Sequence, residues 1–317
     1  MLKGRSVLSN IRHALGAAEG HLYTVAPVVR SVFFPETGPP SENWSVETTD
    51  PLVDAKIKVT GLISHAPNAQ GIAVLVHGLG GCAESEYVIR LTNLLYERGH
   101  TVLRLNLRGA DRKGASLHHA GLYDDIVLAL RDEQVAKFKR KWLVGFSMGG
   151  HASLWAAKNH PKELTALLTI CAPLDLAKGQ IHIDSPWAFP YRRHVLRGLK
   201  DAYAAFEERH QGPVSKKEAE SIGTLLDWDE KVIAPLFGYK SAQEYYAKES
   251  AYLAIPELTT PTQILCAEHD PMVSASSLRP HLISTPKETI VEWLPRGGHV
   301  GIGRARESSA IDWLTSH

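Results

Sequence analysis

The chain has 317 residues, room for about two domains at roughly 150 residues each, or for one α/β domain with an insertion. Hydrophobic residues make up 44% and charged residues 22%, so a large core can be buried and a disordered chain is excluded. The formal net charge is only +1, which gives no electrostatic reason to expect nucleic acid as a partner. Three cysteines at wide spacing, Cys82, Cys171 and Cys266, form neither a disulfide framework nor a zinc pattern and point to a reducing, cytoplasmic setting. No apolar run approaches the roughly 18 residues of a membrane span.

In chain order, residues 1–43 read as a leader that packs on the core. It has no apolar secretory region. Lys3, Arg5 and Arg12 precede the first acid, Glu19, so the stretch reads as a basic surface helix, with a transit peptide as the alternative. Ile57, Val59, Gly61 and Ile63 recur at period two and predict an edge hairpin. The apolar run 72–76 predicts a buried strand, followed by His77-Gly-Leu-Gly-Gly81. Val88, Leu91, Leu94 and Leu95 share one face of a helix over 84–98. Strand 101–106, helix 121–137, strand 141–146, helix 149–159 and strand 164–171 follow. Residues 174–256 break the rhythm with helix formers and aromatics. Strand 262–267, helix 276–283, strand 289–294 and helix 304–316 restore it. Short buried strands alternating with amphipathic helices predict an α/β fold: a mostly parallel central sheet with helices on both faces. The core would be 44–173 plus 257–317, with 174–256 as a helical lid insertion.

Gly145-Phe-Ser147-Met-Gly149 fits G-x-S-x-G, in which a serine sits on a sharp strand-to-helix turn. Apolar Trp142, Leu143 and Val144 lead into it and Ala152, Leu154 and Trp155 lead out, as such a turn requires. A serine hydroxyl needs a base. His299, among glycines in Arg296-Gly-Gly-His-Val-Gly301, follows the last strand, whereas His281 falls in a predicted helix and His317 is terminal. The acid belongs after strand 262–267, where Asp270 stands, with Glu268 as the alternative. The backbone amides of Leu79 and Met148 are the candidate oxyanion donors. His77 precedes the serine and reads as a structural residue. His119 and Asp124 form an H-x-x-x-x-D pair found in some acyltransferases, although Asp124 equally suits a helix start. Cys82 reads as a small packing residue. No phosphate-binding loop, metal or organic cofactor is implied.

These motifs give the chain a resemblance to the α/β-hydrolases and, among them, to the YheT-type group that includes the embryogenesis-associated hydrolases. Gly20-His-Leu22, His77-Gly-Leu-Gly-Gly81, Asn106-Leu-Arg-Gly109, His119-Ala-Gly121 with Asp125, Gly145-Phe-Ser-Met-Gly-Gly150, Phe237-Gly-Tyr239 with Tyr245-Tyr246, Asp270-Pro271 and Gly297-Gly-His-Val-Gly301 carry it. It implies a serine hydrolase acting on carboxylic esters, with Ser147, Asp270 and His299 as the triad and a small-molecule ester or acyl-lipid as substrate. His269, Tyr23 and Leu107 depart from residues frequent in the group. An acyltransferase using the same acyl-enzyme, and a non-catalytic binding module, are the alternatives. The lid aromatics, Trp187 to Tyr246, would either wall an acyl pocket or bury the lid on the core.

Overall fold

The architecture is that of a computed structural model, which describes residues 7–317. Met1 to Ser6 of the expected leader lie outside the described residues. The leader forms one long helix, α1 (Val7–Phe33). Strands β1 (Glu42–Asp50) and β2 (Ala55–Ser64) make the antiparallel edge hairpin, with Val46 opposite Val59. Then come β3 (Gly71–Val76), α2 (Glu86–Glu97), β4 (Thr101–Asn106), α3 (Asp124–Arg131), the single turn α4 (Glu133–Ala136), β5 (Arg140–Phe146), α5 (Met148–Asn159) and β6 (Ala166–Ile170). The insertion holds α6 (Leu176–Ile183), α7 (Phe189–Glu207), α8 (Lys216–Ser221), α9 (Leu225–Trp228), α10 (Ala234–Leu236) and α11 (Ala242–Glu249). The chain closes with β7 (Thr262–Ala267), α12 (Ala275–Leu278), β8 (Thr289–Leu294) and α13 (Arg304–Ser316).

The eight strands are ordered β1-β2-β4-β3-β5-β6-β7-β8, parallel from β4 through β8. Strand β3 is central and wholly buried, and its alternate residues serve opposite layers. Val74 and Val76 join a core with Ile126 of α3 and Leu154 of α5. Ala73 and Leu75 join the other with Leu91 of α2 and Ile311 of α13. Period-two alternation thus gives each sheet face its own apolar layer.

Two expected helices are shorter than the periodicity suggests. The 121–137 helix starts at Asp124 and breaks at Asp132, whose backbone is extended. The Asp132 carboxylate accepts from Gln134 N at 3.1 Å and from Trp44 Nε1 of β1 at 2.9 Å, so a cap and a sheet contact replace one helical turn. The 276–283 helix is α12 plus a 3₁₀ turn at Arg279–His281, where Pro280 withholds an N–H. The insertion has its own apolar core around Tyr203, Phe206, Trp228, Tyr245 and Tyr246, all buried. Met148 packs against that cluster, so the insertion meets the body of the protein beside the serine turn.

Candidate active site

Ser147 lies between β5 and α5 with φ 50° and ψ −121°, a left-handed conformation rare for a residue with a Cβ. Local packing enforces it. Ser147 N donates to Ile170 O of β6 at 2.8 Å. At position 149 a Cβ would fall 2.3 Å from His77 O and 2.4 Å from Val76 O, so only glycine lets α5 start this close to β3. The hydroxyl is therefore held out at the carboxyl end of the sheet, where an open α/β sheet places its reacting groups.

Ser147 Oγ lies 2.9 Å from His299 Nε2, and His299 Nδ1 lies 2.9 Å from Asp270 Oδ2. His299 and Asp270 are both buried. The second Asp270 oxygen accepts from the amides of Met272 at 2.7 Å and Val273 at 2.9 Å, which fixes the carboxylate plane. The other candidates go elsewhere. Glu268 pairs with Arg279, His281 Nε2 sits 3.2 Å from Asp175, and His317 stays at the end of α13.

Four contacts that the sequence did not signal hold the histidine loop. His299 N donates to Thr24 Oγ1 of α1 at 2.8 Å, and that hydroxyl donates to Gly20 O at 2.8 Å. Cys171 Sγ donates to Gly298 O at 3.6 Å. Arg90 of α2, clamped on Glu307 at 2.7 Å, reaches Val300 O at 3.4 Å. Gly298 N closes the loop on Gly301 O at 3.0 Å. A Cβ on Gly298 would fall 2.3 Å from Gly20 O, so α1 lies directly on the loop. His269 packs on the same helix, its ring against Gly16. The signal available was the Gly20-His-Leu22 motif, although nothing in it says that Thr24 is the contact.

On the serine side, His77 is buried and burial lowers its pKa to about 4, so the ring is neutral. Nε2 accepts from Leu107 N at 3.2 Å, which leaves Nδ1–H to donate to Gly78 O at 2.8 Å. That carbonyl also accepts from Gly81 N at 3.0 Å. In a trans peptide the carbonyl and the following N–H point opposite ways, so Leu79 N–H is turned out of this turn. Gly78 N itself is taken by Tyr87 OH at 2.9 Å. Met148 opens α5, and the first N–H groups of a helix have no partner within it. Gly78 lies against Ser147, with 3.0 Å between an ideal Cβ on one and the Cβ of the other.

His119 and Asp124 are not brought together. His119 accepts from Gly121 N at 3.2 Å and sits among Phe237, Tyr239 and Tyr245, and burial lowers its pKa to about 3. Asp124 is exposed on α3. Cys82 is half-buried. His151, one turn beyond Ser147, was missed in the sequence; its ring spans Pro173 O at 2.8 Å and Glu249 O, at the end of α11, at 2.6 Å. Trp155 Nε1 donates to the same Glu249 carbonyl at 3.0 Å, tying α5 to the insertion. Among the described residues no group of three or more His, Cys, Asp or Glu converges as metal ligands would.

A family model described as the alpha/beta hydrolase fold matches residues 74–302. The chain belongs to the α/β-hydrolase fold family. This α/β-hydrolase is 27% identical over 270 residues to the Escherichia coli protein named "Putative esterase YheT", covering 77% of this chain and 76% of that one. It is 25% identical over 251 residues to the monoacylglycerol lipase of Saccharomyces cerevisiae, covering 75% of this chain but 56% of the lipase. Among solved structures, the Pyrococcus furiosus esterase superposes with a TM-score of 0.58 over 87% of this chain and 93% of its own, at 14% identity. At that identity the likeness speaks for the fold. No helix among the described residues is long and apolar enough to cross a membrane.

Proposed function

We propose that this α/β-hydrolase is a serine esterase that cleaves carboxylic esters through an acyl-enzyme. The observation that carries the reading is the Ser147–His299–Asp270 relay, its histidine and aspartate buried and both steps at 2.9 Å. His299 takes the hydroxyl proton as Ser147 Oγ attacks the ester carbonyl. Asp270 holds the Nδ1–H tautomer and stabilises the imidazolium. The Leu79 and Met148 amides bind the oxyanion. His299 returns the proton to the leaving alcohol, and water then releases the acid by the same steps reversed. Helices α6 to α11 serve as the lid. The insertion meets the body of the protein at Met148, beside the serine turn, and an apolar acyl chain would enter along that seam. The esterase and lipase names of the relatives agree with that substrate class.

The test is hydrolysis of p-nitrophenyl esters of short, medium and long acyl chains by wild type and Ser147→Ala. The expected result is turnover favouring medium or long chains and a loss of at least roughly 10⁴-fold in the variant. Equal activity of both proteins rules out the assignment of Ser147. Activity confined to acetate esters rules out the acyl-binding lid. Acyl groups appearing on added alcohol in preference to water would make the protein an acyltransferase.

A further inference from the structure

Helix α1 has two working faces. Its 27 residues run roughly 40 Å. Gly16, Gly20 and Thr24 face the loops carrying His269 and His299. A second stripe lies open to solvent. Leu15, Ala18, Leu22, Val25, Ala26, Val29 and Phe33 are all exposed. At 100° per residue they fall within an arc of about 100°. The large side chains among them, with Phe34, keep between 45% and 72% of their surface in water.

The insertion continues this apolar surface. Trp187, just before α7, and Phe189, its first residue, are half exposed. Trp187 adjoins α1 through His21, whose ring meets it edge-on at 6.2 Å and stacks on Tyr191 of α7 at 5.6 Å. Cations border the two aromatics: residues 185–200 contain Arg192, Arg193, Arg197 and Lys200 and no acid. Arg193 and Arg197 are exposed and make no ion pair among the described residues. With a whole-chain charge of +1, this is a local asymmetry.

We infer that this face docks on an anionic lipid surface. The stripe and the two aromatics would enter the headgroup–acyl boundary, and the basic stretch at the start of α7 would lie at headgroup level. Aromatic side chains favour that depth. The charge argues against a second copy of the chain as the occupant. A two-fold contact through this face would set the basic stretches of both copies against each other. The inference does not require turnover, so it stands or falls separately from the esterase reading.

The experiment is co-sedimentation of the full chain with vesicles of phosphatidylcholine alone and of phosphatidylcholine mixed with phosphatidylglycerol. The wild type is expected to sediment with the anionic vesicles and to be released by added salt. Leu22→Asp/Val29→Asp should abolish binding. Arg193→Gln/Arg197→Gln should weaken it roughly 30-fold, at about one kcal/mol per cation. All four side chains are exposed, so the melting temperature should be unchanged in both variants. It serves as the control for folding even if no ester is hydrolysed. Three results overturn the inference: no binding to anionic vesicles, equal binding by the Asp variant, or a wild-type dimer that Leu22→Asp dissociates.

Discussion

The two halves of the candidate relay are held in different ways. The serine half is rigid by construction. Ser147 sits where β5 meets α5, and neighbouring backbone leaves no room for a Cβ at position 149. The histidine half is a loop, Gly297 to Gly301, held from outside by Thr24 of α1, Cys171 of β6's end and Arg90 of α2. A serine fixed by sheet geometry thus faces a histidine whose position depends on elements far away in sequence. Damage to the first half should therefore appear as lost stability, and damage to the second as lost rate in a folded protein.

The sharpest way to break this contrast is Gly149→Ala. A Cβ at 2.3 Å from His77 O forces β3 and α5 apart, at a cost of about 3 kcal/mol, read as a lower urea midpoint. Gly298→Ala should do the opposite. Its Cβ would press on Gly20 and Thr24 of α1, away from the sheet core. The expected result is a fall of roughly 10²-fold in kcat for p-nitrophenyl ester hydrolysis with a modest change in melting temperature, because a shift of about 1 Å in the base is enough. If Gly298→Ala unfolds the chain instead, the loop belongs to the rigid half.

Thr24→Val tests the smaller step. It removes the acceptor for His299 N–H and keeps the shape. A roughly tenfold lower kcat with KM nearly unchanged, a stability cost of about 1 kcal/mol and recovery in Thr24→Ser would mark Thr24 as a positioning residue. A purely structural role would lower the melting temperature and leave kcat alone.

The last contrast concerns pH and separates the core from the insertion. Burial lowers the pKa of His77 to about 4 and also depresses His118, His119 and His151. Between the ordinary histidine pKa, about 6.5, and about 4, the unfolded chain binds protons that these folded sites refuse. Stability should fall as the pH drops through that window. Asp229 of the insertion works the other way. Burial raises its pKa to about 7, so the folded chain holds a proton there that an unfolded aspartate releases above about 3.9. Its contribution rises on acidification from pH 7. Melting curves from pH 7.5 to 5 should show net acid lability, steeper in Asp229→Asn. An unchanged slope in that variant would remove Asp229 from the balance.

Much of the molecule is legible in the sequence, and the exceptions share a cause. Strands β3 to β8 announce themselves as short apolar runs, and β3 and β5 lie within a residue or two of the expected bounds. The serine turn is legible because its constraint is local: within five consecutive positions, glycines stand two before and two after one serine. Asp270 and His299 follow from their order after the later strands, and the relay geometry agrees with that order. The break at Asp132 was concealed because the apolar pattern continues across it, and only the bond to Trp44 of β1 shows why the helix stops. The lid aromatics carried two readings. Tyr203, Phe206 and Trp228 took the bland one, burial in the insertion's own core, while Trp187 and Phe189 stayed exposed.

By itself the sequence determined the α/β alternation, the serine turn and the identity and order of the three relay candidates. All of these depend on neighbours in the chain: strand and helix periods of a few residues, and backbone clearance that glycine alone supplies. Only the tertiary structure decided what holds His299 in place and which face of α1 is left open. Those contacts join residues 275, 210 and 127 positions apart, from Thr24, Arg90 and Cys171 to the His299 loop. No local pattern encodes such a pairing, because each side chain is ordinary for its own element and becomes significant only when the sheet brings it to the loop.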